Sequence, residues 1–234
     1  MQLSLGSDPR TATLRMMQQA LIGRFGRIGR QHTKRTDPVW TLVQGVIGAR
    51  TKTEISNAAT DQLHMTFGSW EAVASAPLDA LTDVLAKQTF SEQSARRLKD
   101  CLAAIIAERG EADLRHLSNQ STPDAMMWLE NLPGVGRKIA AGVMNTSIFA
   151  RKALVIDSHH RRIMQRMGLV PAKADTARAY DALMPAIPDE WSAAELDEHH
   201  LLVKRLGQEI CRPSAPQCAR CPVSEMCEFA AARR

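Results

Sequence analysis

The sequence predicts an all-α protein. Residues that favour helices, above all Ala, Leu, Met, Arg and Glu, are frequent among its 234 residues. Aromatic residues contribute only 4%, and runs of β-branched residues, which favour strands, are scarce. Apolar residues recur at helical spacing between capping residues along the chain. The length allows one large domain or two modest ones.

The first half of the chain contains a series of predicted helices with short loops between them. Residues 11–26 carry Leu14, Met17 and Leu21 at steps of three and four, which predicts an amphipathic helix. A basic linker follows, and the apolar segment 39–48 predicts a buried helix. Further helices are predicted near residues 53–66, 69–75, 78–86 and 91–109.

Two helices joined by a tight turn are predicted in the middle of the chain. Capping and proline residues at 121–124 predict a helix that runs through Leu129. A second helix starts beyond Gly136, with an apolar stripe from Ile139 to Ile148.

The chain continues through an extended apolar segment at residues 154–156. Asp157 is predicted to cap the next helix, which ends before Gly168. A last long helix runs from Glu195 to Ile210, and its amphipathic pattern predicts structural or cluster-supporting roles for Asp197, His199 and His200.

Positive charge is concentrated in two stretches. The net charge is +5, yet residues 1–36 and residues 134–166 each carry +6, so the remaining residues are acidic. This asymmetry predicts a surface that binds a polyanion. The alternative is a pair of ordinary solvated helix faces.

No targeting signal is visible in the sequence. No apolar run approaches the roughly 20 residues that span a bilayer, and the N-terminus lacks a secretory apolar core. We therefore expect no membrane partner and a cytoplasmic location, associated with the nucleoid if the organism is bacterial.

Four of the five cysteines occur within seventeen residues near the C-terminus. Four thiolates at such spacing, with prolines that interrupt helix between them, favour a 4Fe-4S cluster. Zinc is the alternative, but structural zinc sites usually pair cysteines as two short hooks, and only one such hook is present. Disulfides are disfavoured because nothing else in the chain is typical of secretion. The fifth, Cys101, is expected to be a buried small residue. The proposed ligands are Cys211, Cys218, Cys221 and Cys227.

The segment LPGVGRK at residues 132–138 has the composition of an anion site. Gly134 and Gly136 leave the backbone N–H groups accessible at a helix N-terminus, where a phosphate is stabilised. A glycine turn used only for helix packing is the alternative.

Three motifs together resemble the endonuclease III family of DNA glycosylases, within the helix-hairpin-helix superfamily. LPGVGRK resembles the family's hairpin, VIDSH at 155–159 resembles its catalytic aspartate segment, and the four cysteines have its cluster spacing. All three occur in the family's order, and the resemblance extends from about Pro38 to Phe229.

The resemblance implies a two-domain helix-hairpin-helix DNA glycosylase fold. A six-helix barrel domain is expected over residues 34–150, with the hairpin near 123–150. Residues 1–33 and 151–234 are expected to form a discontinuous helical domain that carries the 4Fe-4S cluster. The implied partner is double-stranded DNA containing damaged bases or abasic sites, bound by a monomer.

Lys138 and Asp157 match the family's catalytic residues. The resemblance implies that Lys138 attacks the sugar of a flipped nucleotide, expels an oxidised or damaged pyrimidine and cleaves the strand by β-elimination through a Schiff base. The helix N-terminus, Arg137 and partial desolvation would disfavour the ammonium form of Lys138. Asp157 would stabilise positive charge on the sugar or accept a proton. Phosphate contact and helix capping are their respective alternatives.

Arg50 and Phe90 occupy the positions expected to enter the duplex. The turn at residues 48–53 departs from the family's usual glutamine, which leaves the substrate preference open. Phe90 is the candidate wedge, with an ordinary core role as the alternative, and Arg50 either inserts or contacts phosphate. The other predicted DNA-binding residues are Gly134, Val135, Gly136 and Arg137.

Three further functional readings remain compatible with the residues. A monofunctional glycosylase would only release bases, although Lys138 favours the bifunctional reaction. A non-catalytic helix-hairpin-helix module would use the same residues for phosphate contact and capping. A redox protein would use the cluster alone.

Overall fold

The computed structural model describes residues 8–28 and 37–234, and every regular element in those ranges is helical. The all-α prediction is therefore confirmed. No helix among the described residues is long and apolar enough to cross a membrane. Part of the basic stretch 1–36, including Arg30, Lys34 and Arg35, lies outside the described residues.

The chain divides into two compact units. His32–Arg151 forms one, called here the central unit, and Met1–Gln31 with Lys152–Arg234 forms the other, the terminal unit. The assignment of these units as a barrel domain and a cluster-bearing domain stays a prediction.

The central unit is built from helices that begin at well-defined caps. Asp37 accepts a hydrogen bond from the N–H of Val39, and Pro38 occupies the first turn of its helix. Ser69 and Ser121 cap two later helices in the same way. The helices are α2 (Pro38–Ile47), α3 (Thr53–Phe67), α4 (Trp70–Ser75), α5 (Leu78–Val84), α6 (Ser91–Arg109), α7 (Thr122–Glu130) and α8 (Arg137–Thr146).

Helix α2 lies in the core of the central unit, packed against α6 and α8. A Cβ at Gly45 would lie 2.8 Å from Cγ2 of Ile139, so the absence of a side chain permits the close approach of α2 and α8. Cys101 on α6 is 1% exposed, as predicted, and burial raises the pKa of its thiol to about 12.

The terminal unit has its own core. Leu14, Met17 and Leu21 are fully buried, which confirms the predicted amphipathic pattern of the first helix. Ser192 and Glu195 form a capping box at the start of the long helix that precedes Cys211. The helices are α1 (Pro9–Phe25), α9 (Ser158–Arg166), α10 (Thr176–Leu183), α11 (Ala193–Glu209) and the short α12 (Glu228–Ala231).

Two details differ from the sequence prediction. Helix α8 ends at Thr146, so Ile148 lies outside it and is 57% exposed. The hydroxyl of Ser147 donates to the carbonyl of Val143, and Ala150 turns the chain with a φ of 46°. Helix α10 was not predicted, although Asp175 at its N-cap is a recognisable start signal.

Candidate active site and cysteine loop

The predicted hairpin is formed by α7, a glycine turn and α8. Gly134 has a φ of 77°, in the left-handed region that side chains disfavour. Gly136 is the N-cap of α8 with an extended φ of −113°, and a Cβ there would meet nothing within 4 Å. The backbone conformation therefore favours glycine at 134, whereas position 136 has space for a side chain.

Lys138 lies in the first turn of α8, where the N–H groups point out of the helix end. Its side chain is exposed, so the desolvation expected from the sequence is absent in this structure. Arg137 is half-buried and forms an ion pair with Glu130. The side chain of Val135 is buried, so only its backbone is available to a ligand.

Asp157 caps α9, as predicted. Its Oδ1 accepts a hydrogen bond of 2.8 Å from the backbone N–H of His160. Burial raises the pKa of the Asp157 carboxyl, but the charge of His200 and the N–H of His160 outweigh that effect. The pKa lies below its usual 3.8, and the group is a carboxylate at neutral pH.

Three histidines from α9 and α11 lie together behind Asp157. His160 and His199 are fully buried, and His200 is 7% exposed. The ring centroids of His160 and His200 are 5.9 Å apart with nearly parallel planes, and those of His160 and His199 are 5.4 Å apart. Burial, together with the charge of His200, lowers the pKa of His160 to about 3.

Arg50 and Phe90 are brought together in the central unit. The guanidinium carbon of Arg50 lies 5.8 Å from the centre of the Phe90 ring. Phe90 is 41% exposed, so the alternative that it is a core residue is wrong. Arg50 has a φ of 54°, and its carbonyl accepts a 2.8 Å hydrogen bond from the Thr89 hydroxyl. Neither Thr89 nor Thr51 was predicted as a site residue. The two are far apart in the chain, and no local sequence pattern indicates such a contact.

Most cations of the basic stretch 134–166 are held by acceptors in the protein. Arg151 donates to the carbonyl of Ser118, and Lys152 donates to the carbonyl of Asp189. The cations engaged in this way are Arg137, Arg151, Lys152, Arg162 and Arg166. Their charge contributes to the surface potential, while the protein fixes their orientation.

The four C-terminal cysteines are all free thiols and half-buried. Cys211, Cys221 and Cys227 pack against the core of the terminal unit. Burial raises the pKa of Cys221 to about 11, and the other three thiols lie close enough to act in the same direction. Among the described residues, no group of three or more His, Cys, Asp or Glu side chains is arranged to hold a metal ion. Four cysteine thiols are nevertheless the donor set that an iron-sulfur cluster takes, so the residue types fit such a centre.

Two arginines of α9 hold the start of the cysteine loop. Arg166 donates to the sulfur of Cys211 at 3.2 Å and to the carbonyls of Arg212 and Pro213. Arg162 donates to the carbonyl of Cys211 at 2.7 Å. These bonds attach the loop to the helix that Asp157 caps.

Comparison with known proteins identifies the class of this fold and site. Residues 43–189 match the profile of the HhH-GPD superfamily of base excision DNA repair proteins. This match covers more than half of the chain, and the chain belongs to that superfamily.

Individual relatives narrow the class. Endonuclease III of Rickettsia conorii is 30% identical over 192 residues, which cover 81% of this chain and 84% of the relative. Endonuclease III of Thermotoga maritima is 29% identical over 205 residues, or 87% and 88% of the two chains. The structure of a trapped endonuclease III–DNA covalent intermediate matches with a TM-score of 0.75 at 23% identity, covering 95% of this chain and 98% of that one. The predicted family, fold and enzyme class, a base excision repair DNA glycosylase and AP lyase, are confirmed.

Proposed function

We propose that this enzyme removes oxidised or damaged pyrimidines from duplex DNA and cleaves the resulting abasic site by β-elimination. The observation that carries the proposal is Lys138 in the first turn of a helix that follows the glycine hairpin. An amine there can approach a sugar whose phosphate is bound by the N–H groups of the turn. Asp157, held as a carboxylate, supports the same chemistry.

In the proposed reaction the amine of Lys138 attacks C1′ of the flipped nucleotide. The C1′–base bond breaks, and the base leaves with a proton. Ring opening then gives a Schiff base between Lys138 and C1′, and loss of a proton from C2′ expels the 3′ phosphate. The charge of Asp157 stabilises the positive charge that develops on the sugar during base release. Arg50 and Phe90 fill the space left by the flipped nucleotide.

Phosphate binding is assigned to the hairpin backbone. Gly134, Val135 and Gly136 contribute main-chain groups, because the side chain of Val135 is buried. Arg137 follows directly, and we assign it a phosphate contact through the guanidinium that Glu130 orients. The ligand is duplex DNA with a damaged base or an abasic site, and two structural neighbours are endonuclease III in complex with DNA.

Reductive trapping tests the nucleophile. With borohydride and a duplex containing an abasic site or an oxidised pyrimidine, the wild-type protein should form a covalent adduct. Lys138→Ala should form none, whereas Lys173→Ala, which removes an exposed lysine of the terminal unit, should trap like the wild type. An adduct with Lys138→Ala, or none with the wild type on any such duplex, contradicts the proposal.

Asp157→Asn separates charge from capping. Asparagine is as good an N-cap as aspartate, so the thermal unfolding midpoint should fall only by what the charge of the carboxylate contributes to stability. Single-turnover base release should fall by roughly 100-fold or more, as expected when a group that stabilises the transition state is removed. An unchanged rate would show that Asp157 caps α9 and has no part in base release.

We also propose that the four C-terminal cysteines hold a 4Fe-4S cluster. Such a cluster would cross-link the loop through four thiolates, and no bond-making step of the reaction uses it. The purified protein should contain iron and show broad visible absorption, which Cys221→Ala should lose and Cys101→Ala should keep. Zinc without iron would contradict this assignment.

We further propose a monomer that acts in the cytoplasm, which light scattering and cell fractionation can check.

A further inference from the structure

The last residue of α9 contacts both ends of the cysteine loop, residues 211–227. The guanidinium of Arg166 donates a hydrogen bond of 3.2 Å to the sulfur of Cys211, the first cysteine of the loop. The backbone carbonyl of Arg166 accepts a bond of 3.4 Å from the thiol of Cys227, the last one. Arg162, one turn earlier on α9, binds the carbonyl of Cys211 rather than its sulfur. Arg166 is therefore placed to act directly on a proposed ligand atom.

The guanidinium of Arg166 is fixed in its orientation. It donates to the carbonyls of Arg212 and Pro213 at 2.8 Å each, and its carbon atom lies 4.6 Å from the centre of the Phe229 ring. Arginine suits this combination, since its planar group can donate several hydrogen bonds in its plane and stack on an aromatic face. The N–H directed at the sulfur of Cys211 cannot turn away without breaking these other contacts.

The ring of Phe229 extends the contact beyond the last cysteine. Phe229 lies in α12, which follows Cys227 directly. The exposed Arg233 stacks on the same ring at 5.2 Å, yet it makes no hydrogen bond to a cysteine in the part of the chain that the structure describes. Of the two arginines on this ring, Arg166 alone combines the stacking with a bond to sulfur. Arg233 therefore offers a control within the same site.

Metal binding would change the two sulfur contacts in opposite ways. A cysteine ligand must lose its proton, so the thiol bond from Cys227 to the carbonyl of Arg166 would be lost. Cys211 would become an anionic acceptor, and a hydrogen bond between ionised groups is roughly twice as strong as one between neutral groups. The bond from Arg166 to Cys211 is therefore the contact that ligation strengthens.

We propose that Arg166 is a positioning residue for the iron-sulfur cluster. Its guanidinium holds the thiolate of Cys211, and its stacking on Phe229 keeps the far end of the loop in place. The proposal rests on the proposed cluster and on none of the catalytic steps. Donors to ligating sulfurs affect both the retention and the reduction potential of a cluster, so removal of Arg166 should change both properties.

Iron release from the iron-loaded protein is the first test. Bathophenanthroline, a ferrous chelator, is added in excess, and release is followed by the loss of visible cluster absorption. Arg166→Met keeps an apolar stem but removes every donor, and it should lose iron about tenfold faster or more, because such partners typically contribute about 10–100-fold to metal affinity. Arg233→Met removes the other arginine on the Phe229 ring and should release iron at the wild-type rate. Arg166→Lys, which keeps the charge, should restore part of the retention.

The reduction potential of the cluster, measured by voltammetry, separates this role from a purely structural one. A positive donor beside a ligating sulfur favours the reduced cluster, which carries one more negative charge. The midpoint potential should therefore be lower in Arg166→Met than in the wild type and unchanged in Arg233→Met. A contact that only braced the loop would speed iron release and leave the potential in place, a result that would overturn the proposal.

Far-UV circular dichroism checks that each variant is folded, and Arg166→Gln replaces Arg166→Met if the latter is not. Wild-type iron release and potential in the neutral variant overturn the proposal, and so do changes of equal size in Arg233→Met. A wild-type protein that contains no iron overturns the proposed cluster and this inference with it. Reductive trapping by Lys138 is a separate measurement, so the proposed base release can fail or succeed independently.

Discussion

The hydroxyl of Thr89 donates a 2.8 Å hydrogen bond to the carbonyl of Arg50, thirty-nine residues away in the chain. A second bond of 3.2 Å runs from the N–H of Thr89 to the hydroxyl of Thr51. The two loops that present Arg50 and Phe90 are therefore joined directly. Arg50 adopts the left-handed backbone region, which costs a residue with a side chain about 1–2 kcal/mol. The Thr89 bond helps to hold it there.

Thr89→Val should weaken this junction. Loss of one hydroxyl donor at an exposed site should lower the free energy of unfolding by about 1 kcal/mol or less, measured by urea denaturation. Affinity for a lesion-containing duplex should fall several-fold, because Arg50 and Phe90 no longer keep a fixed orientation. Thr66→Val removes an exposed hydroxyl on α3 that accepts from Gln62, and it should leave the affinity unchanged. Equal losses in the two variants would show that the junction has no role in binding.

The two glycines of the hairpin should respond differently to alanine. Gly134→Ala forces a side chain into the left-handed region and should lower the free energy of unfolding by about 1–2 kcal/mol. Gly136→Ala meets no atom within 4 Å, so it should cost only the difference between glycine and alanine as an N-cap, about 1 kcal/mol or less in the free energy of unfolding. Its duplex affinity should nevertheless drop, because a Cβ there keeps a phosphate away from the helix N-terminus. Retained affinity in Gly136→Ala would exclude the hairpin turn as a phosphate site.

Local features of the sequence were sufficient to predict most helices and several functional positions. Caps such as Asp37 and Asp157 act over three residues or fewer, so their signals are readable without the fold. The end of α8 was missed because Ser147 bonds back to the helix and Ala150 reverses the chain.

Long-range relationships were not predictable in this way. The Thr89–Arg50 bond joins distant segments, and the sequence left both a wedge and a core role open for Phe90, which is 41% exposed. The histidine cluster forms only when α9 packs against α11. Paired histidines at 159–160 and 199–200 are its one local signal, and nothing in their spacing along the chain indicates that they meet.

The contact between α2 and α8 predicts opposite effects for two glycine substitutions. Gly45→Ala brings a Cβ to 2.8 Å from the β-branched side chain of Ile139, which has little freedom to move. It should lower the free energy of unfolding by about 1–3 kcal/mol. Gly142→Ala, within α8 and open to solvent, should raise it by up to about 1 kcal/mol. Combining Gly45→Ala with Ile139→Ala should recover part of the loss, and strict additivity in that double-mutant cycle would contradict the steric explanation.

Protonation of the buried histidines should destabilise the protein in mild acid. The folded state holds the pKa of His160 at about 3 and that of His199 well below 6.5, because burial disfavours the charged imidazole. The unfolded chain binds these protons as the pH falls through about 6.5, so stability is fully present above that pH and declines below it. Below that pH, each of the two histidines lowers the free energy of unfolding by about 1.4 kcal/mol per pH unit.

His160→Phe should remove one histidine's share of this slope. Urea unfolding from pH 6 to 4.5 isolates the effect, since carboxyl groups with lowered pKa values, such as Asp157, lose their contribution only at lower pH. The difference between the wild-type and variant free energies of unfolding should be constant between pH 7 and 8 and should then shift in favour of the variant by about 1.4 kcal/mol per pH unit. Curves that stay parallel down to pH 4.5 would show that His160 is protonated in the folded protein, contrary to its buried position.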